Sequence, residues 1–318
     1  MASPHPQLNR RAVVAGAATL VSEPDDMDSA PSTLTRTYSP RGPLQQFRFV
    51  DKTSFRCFRC RETKTSKLIT IYSGDWSKRL CNGCHERLLS LHQIKAGTAA
   101  EDQKAEDLVA ALLSAVAADD QCQAELRLRA SEKRAEQLSP ESVRFIATAE
   151  HVAAELQEDP HLEWSPAVIG LCKAVESEVV VRILRPLAAS ASREDLTADK
   201  SDKDLGRVAK FCADQGRKPP ELGVFGRFLQ TAIHSQERRE TSALLGCFLK
   251  LVAEWTGSHW LLDPKGLHFK LDDLITHFRN RAAHIDELGM DDYVSCRDLV
   301  VGSEGLLWRL VVATERHK

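Results

Sequence analysis

From Leu271 to Ile285 the apolar residues fall at Leu271, Leu274, Ile275, Phe278, Ala282 and Ile285. This is the three-and-four spacing of a helix with one core-facing stripe. Similar helical patterns begin near Pro166, Asp202, Glu221, Thr241, Lys270, Asp291 and Gly305. Ser139-Pro140-Glu141 offers an N-cap with proline at the first helical position, and Glu158-Asp159-Pro160 closes that helix. Ala100 to Ser139 is rich in Ala, Glu, Leu and Lys, which favours helix. Its apolar positions Leu108, Leu112, Val116 and Leu126 are sparse, so it reads as a helical connector. Trp255, Trp260 and Trp308 stand in apolar surroundings and read as core. A strand pattern is confined to Lys67 to Tyr72, followed by a Ser73-Gly74-Asp75 turn and a helical run from Glu86 to Leu91. Residues 1 to 44, with Pro, Ser, Asp and Thr scattered throughout, read as a disordered tail. The expected fold is mainly α, divided into a tail (1–44), a small cysteine-rich module (45–95), a helical connector (96–160) and a helical domain (161–318).

Cys57-x-x-Cys60 is followed, after twenty residues, by Cys81-x-x-Cys84. Each pair bends the backbone into a knuckle that presents two thiolates, and two knuckles complete a tetrahedral Zn²⁺ site. Four protein sulfurs leave no position for water or substrate, so one structural zinc per chain is expected. His85 beside Cys84 is an alternative ligand, although its spacing departs from a knuckle pair. Disulfides are the other alternative. The remaining Cys122, Cys172, Cys212, Cys247 and Cys296 are scattered among helical segments, and the total of nine is odd, a usage that favours a reducing compartment. The order knuckle, strand, turn, knuckle, helix resembles a treble-clef finger. Trp76 followed by Leu80-Cys81-Asn82-Gly83-Cys84 is similar to the second half of GATA-type fingers, without the basic tail those fingers use on DNA.

Charge adds to this picture. The formal net charge of the 318 residues is -2, yet Arg48 to Arg87 holds ten Lys or Arg against four Asp or Glu. That surplus of six falls to about four once four thiolates and Zn²⁺ are counted. The finger is therefore locally basic, which suits nucleic-acid phosphates, a protein contact or simple solvation. No apolar run has the length of a transmembrane helix, and no membrane association is expected. Ala12 to Val21 after Arg10-Arg11 resembles a twin-arginine export signal in outline but is short, alanine-rich and without a clear cleavage site. The expected location is cytoplasmic.

At about 100° per residue, Arg279, Asn280 and His284 fall on the side of their helix away from the apolar stripe, facing a partner or cleft. Such a trio suits cleavage of an RNA phosphodiester by the neighbouring 2′-hydroxyl, which needs no metal. His284 can take or give a proton near neutral pH. Arg279 stays charged and suits the anionic phosphorane. Asn280 can hold the ribose hydroxyl or orient the imidazole. Arg and His are also common on solvated helix faces. Gly-rich phosphate loops, Gly-x-Ser-x-Gly elbows and His-Glu-x-x-His helices are absent, against nucleotide hydrolysis, acyl transfer and zinc-protease chemistry.

Arg279-Asn280-x-x-x-His284 resembles the Arg-(polar)-x-x-x-His motif of the HEPN superfamily, all-α domains of which many are RNases. Leu171 to Glu178, after the Ser165-Pro166 helix start, resembles the first long helix of these domains. Asp204-Leu205-Gly206 and Glu221-Leu222-Gly223-Val224-Phe225 look like recurrent helix starts of the group, so the resemblance covers roughly Pro160 to Thr314. It implies a helical bundle over 161–318, a metal-independent endoribonuclease, an RNA substrate, a toxin-like or defence role, and a homodimer with the two motifs facing each other. It also implies that Glu178, or Glu176, assists the Arg279–His284 pair from the first long helix; a solvated helix face is the alternative for both. His277 reads as a second base, a substrate contact or an edge-packing residue. The competing function is a non-catalytic dimerisation scaffold whose finger binds DNA or protein.

Overall fold

The computed structural model describes residues 33–156, 163–284 and 287–317. The expected tail as far as residue 32, the Arg10-Arg11 run, the Glu158-Asp159-Pro160 helix stop and Ile285 lie outside the described residues. Among the described residues the chain is mainly helical with a four-stranded sheet. It divides into two compact units, a sheet unit ending at Cys81 and a helical unit of Asn82–Lys318 with Arg41–Leu44.

The sheet runs in the order β1 (Leu34–Thr37), β2 (Leu44–Arg56), β3 (Thr63–Tyr72) and β4 (Asp75–Leu80). The last stretch of the expected tail therefore forms β1 and the start of β2. Neither strand was legible, because Gln, Arg, Asp, Lys and Thr interrupt any simple alternation in β2. Leu34 lies opposite Phe49 and Thr37 opposite Phe47, with a bulge between Leu34 and Arg36. The β3–β4 hairpin closes through Ser73 (φ 51°) and Gly74 (φ 74°). Two successive left-handed residues are what a two-residue hairpin turn demands, and glycine adopts that conformation without steric cost. Phe47, Phe55, Ile69, Ile71, Tyr72 and Leu80 are buried.

The helical unit contains α1 (Asn82–Ala96), α2 (Glu101–Ser114), α3 (Ala118–Ser131), a short 3-10 turn (Lys133–Gln137), α4 (Pro140–Leu156) and α5 (Ser165–Val179). A π turn at Val180–Leu184 carries α5 into α6 (Arg185–Ser190). α7 (Thr197–Ser201), α8 (Gly206–Ala213), α9 (Leu222–His234), α10 (Gln236–Thr241), α11 (Ala243–Ala253) and α12 (Ser258–Leu262) follow. α13 (Leu267–Leu274) and α14 (Asn280–Ala283) form one helix through a second π turn, Ile275–Arg279. α15 (Met290–Val301) and α16 (Leu306–Ala313) complete the unit. The helix starts match those expected from the sequence to within a few residues. Trp255 and Trp308 are buried as expected, while Trp260 is half-buried beneath the Arg309 guanidinium.

α5 is apolar on nearly every side, the mark of a central helix, and α2, α4 and α15 pack on it. Gly170 permits this closeness: a Cβ there would lie 2.6 Å from Leu112 and 3.1 Å from Ala149. The segment expected as a connector is thus part of the helical unit, with Ala105, Leu108, Val109 and Leu112 of α2 buried. Lys95, buried at the end of α1, donates to Glu163 at 2.9 Å and Ser165 at 3.2 Å. Among the described residues no helix is long and apolar enough to cross a membrane.

Candidate functional site

Cys57 follows β2, and Cys81 and Cys84 flank the start of α1. The first knuckle is shaped by Arg61 donating its N–H to the Cys57 carbonyl at 2.9 Å and by the left-handed Arg61 backbone (φ 57°). The Cys81 N–H points at the Cys57 sulfur, 3.3 Å away. The four Sγ atoms of Cys57, Cys60, Cys81 and Cys84 lie within 4.8 Å of one another, and those of Cys60 and Cys81 are 3.9 Å apart. Four sulfurs at tetrahedral Zn²⁺ distances would stand about 3.8 Å apart, so this soft, all-sulfur donor set fits the ion expected from the spacing. Burial pushes the Cys60 thiol up, with Cys57 adding to the effect. His85, the alternative ligand, is buried but outside the cluster, and burial lowers its pKa. All nine cysteines are free of disulfides. Burial pushes Cys212 up to about 12, the state of an inert core thiol.

The second candidate site gathers where α14 ends. The π turn at Ile275–Arg279 adds residue to the helical turn, so positions beyond it slip relative to an uninterrupted 3.6-residue helix. Phe278 and Arg279 are buried while Ile275, expected in the apolar stripe, is only half-buried. This corrects the expectation that Arg279 faces outward: it is 7% exposed. Its guanidinium pairs with the Asp102 carboxylate and donates to Asn280 Oδ1 at 3.1 Å. His284 caps α14 in an extended conformation, ends the helix, and is about half exposed at 52%. Its Nε2 is 3.0 Å from Glu101 Oε1. Glu101 and Asp102, the first two residues of α2, thus face the two basic groups of the motif. Sequence reasoning missed both. Acidic residues in a first turn are ordinary partners of the helix dipole, and nothing local links them to a motif 177 positions away.

Glu178 is brought to a different place. Fully buried, it accepts the Ser139 N–H at 2.6 Å and pairs with Arg182, securing the start of α4. Glu176 is nearer the motif: burial raises its pKa, and the charges of Lys173 and Arg279 act against that rise. Lys173 donates to Glu176 at 2.6 Å and to Glu106 at 2.7 Å. His277 is exposed and bonded to Asp273 at 2.7 Å. It lines an open groove of about 580 Å³ with Lys270, Arg281 and Asp292, whose lining includes neither Arg279 nor His284. Comparison of the chain with protein-family models, with curated proteins and with solved structures finds no match.

Proposed function

We propose that the helical unit is a HEPN-type, metal-independent endoribonuclease acting through Arg279, Asn280 and His284. One observation carries this reading: Arg279 and His284, at the end of one helix, each already hold an anionic oxygen, from Asp102 and Glu101. A phosphodiester presents the same kind of oxygen, and a planar guanidinium takes it by charge-assisted hydrogen bonds. Glu101 on Nε2 orients the imidazole and leaves Nδ1 to exchange a proton. In the proposed reaction His284 takes the 2′-hydroxyl proton, the freed oxygen attacks phosphorus, and Arg279 stabilises the charge on the phosphorane. The 5′-oxygen leaves with a proton supplied by His284 of a second copy in a homodimer. Binding at Arg279 exchanges the Asp102 carboxylate for a phosphate oxygen. Asp102 stands in the first turn of α2 with its side chain 38% exposed, so the exchange asks for movement of that turn rather than of the whole helix, whose lifting would expose Leu108 and Leu112 at about 1.5–3 kcal/mol each. Zn²⁺ held by the four cysteines would be structural, in a treble-clef arrangement.

The burial of Arg279 favours a second reading, a non-catalytic scaffold in which Arg279 and Asp102 only tie α2 to α14. Incubating the protein with RNA, with and without EDTA, separates the two. Cleavage that survives chelation and leaves 2′,3′-cyclic phosphate or 3′-phosphate ends is expected, and loss of about 10² or more in rate for His284→Ala. A strict Mg²⁺ requirement with 3′-hydroxyl ends, or no cleavage by any preparation, overturns the nuclease.

A further inference from the structure

The sheet unit carries a cluster that the helical motif does not use. Trp76 on β4 is 49% exposed, and its ring lies 4.6 Å from that of Phe47 and edge-on to Phe49 at 6.3 Å. Phe47 is buried beneath it, so the indole is supported on one side and open on the other. Leu34, opposite Phe49 in the β1–β2 register and hence on the same face, is 47% exposed. Lys78 is two residues along β4 from Trp76, which places both on one side of the strand. The Lys78 ammonium lies 5.4 Å from the Phe58 ring centre and the Arg61 guanidinium 5.6 Å from the same ring. Asp75, the acid next to Trp76, is turned onto Ser77, whose N–H and hydroxyl it accepts at 2.8 and 2.7 Å. Rings and cations therefore alternate from Trp76 to Arg61, within a stretch holding ten basic against four acidic residues.

We propose that this face binds single-stranded RNA, with an unpaired base stacked on Trp76 and phosphates beside Lys78 and Arg61. Exposed rings interleaved with cations are the combination that single strands use, bases supplying π faces and the backbone supplying charge. A duplex keeps its bases stacked on one another and offers none to the indole. The choice of RNA over DNA rests on the endoribonuclease reading, while the stacking and charge argument stands apart from it.

The test measures fluorescence anisotropy of a labelled RNA of about 12 nucleotides, a typical single-strand footprint, with full-length His284→Ala protein so that no cutting is needed. A DNA strand of the same sequence and an RNA duplex serve as comparisons. The single-stranded RNA is expected to bind more tightly than either. Adding Trp76→Ala is expected to weaken it about tenfold or more, the usual scale of one stacked base, and Trp76→Phe to retain most of the affinity. Lys78→Ala and Arg61→Ala are each expected to reduce the salt slope by about 0.7, the single-strand value per phosphate contact. Unchanged circular dichroism and metal content show that each variant is folded. Unaltered binding by folded Trp76→Ala, preference for the duplex or for DNA, or no oligonucleotide binding at all overturns the proposal. Because binding is read without cleavage, failure here and failure of the nuclease assay are separate results.

Discussion

The Asp102 carboxylate closes on the Arg279 guanidinium, joining the first turn of α2 to the π turn before α14 across 177 positions of sequence. Arg279 is nine-tenths buried, whereas the Asp102 side chain is 38% exposed. Removing the two partners is therefore not symmetrical. Asp102→Asn leaves a buried cation without its anion, at roughly 1–3 kcal/mol, while Arg279→Ala leaves a carboxylate that water can reach. Urea unfolding should show a lower midpoint for Asp102→Asn with an unchanged slope. A midpoint equal to that of the wild type would remove any structural weight from the pair.

In this helix the apolar pattern and the observed burial part company at the π turn. The apolar stripe at Leu271, Leu274, Phe278 and Ala282 is buried as expected. A uniform 100° step leaves Arg279 about 80° from Leu271, on the flank of the stripe beside Ile275, and the wider π turn rotates it further toward the core, where it is buried. The knuckle spacing of the four cysteines was legible because both pairs are local signals; the 3.9 Å approach of Cys60 and Cys81 is tertiary, made across the β3–β4 hairpin that lies between the pairs. Glu101 and Asp102 were not legible, since their partners are tertiary. The same holds for Glu178, which a resemblance placed beside Arg279 and the fold ties to Ser139 and Arg182.

Acid should weaken the anchoring of α2 through Glu106. Burial by itself would raise the pKa of this carboxylate, but the hydrogen bonds and charges of Lys173 and Lys218 outweigh it and hold the pKa below the ordinary value. A folded-state pKa below the unfolded one gives stability that is full above the unfolded value, about 4.3, and is lost as pH falls through the folded value. Glu176 acts in the opposite sense, since burial raises its pKa: its contribution is full below the unfolded value and is lost as pH rises through the folded one. Thermal unfolding between about pH 3 and 7, a window spanning the carboxylate range, should show a shallower acid decline for Glu106→Gln than for the wild type. Parallel curves would refute the assignment.

Metal analysis of freshly purified protein should find one Zn²⁺ per chain. The sheet unit has a small core, and units of this size usually need a metal or cross-links to fold. Cys81→Ser should abolish stoichiometric zinc and remove hydrogen-exchange protection from β2, β3 and β4, while amides of α5 keep theirs. Retained zinc in Cys81→Ser, or absence of zinc from the wild type, would contradict the proposed site.

The proposed reaction needs one group to accept the 2′-hydroxyl proton and another to protonate the leaving 5′-oxygen. Within one chain the motif supplies a single histidine: Glu101 bonds the ring of His284 itself, and His277 lines the separate groove beside Asp273. A two-fold dimer would bring a second His284 to the same diester. Equal amounts of wild-type and His284→Ala chains, mixed and allowed to exchange, then form wild-type pairs in about one quarter of dimers. If both histidines are required, the rate per total chain should fall to about a quarter of the wild-type value; independent sites would leave about half. Light scattering on the same samples should report a dimer. Full-rate cleavage by a monomer, or a value near one half after verified exchange, would reject the composite site and leave the acid to be sought within one chain.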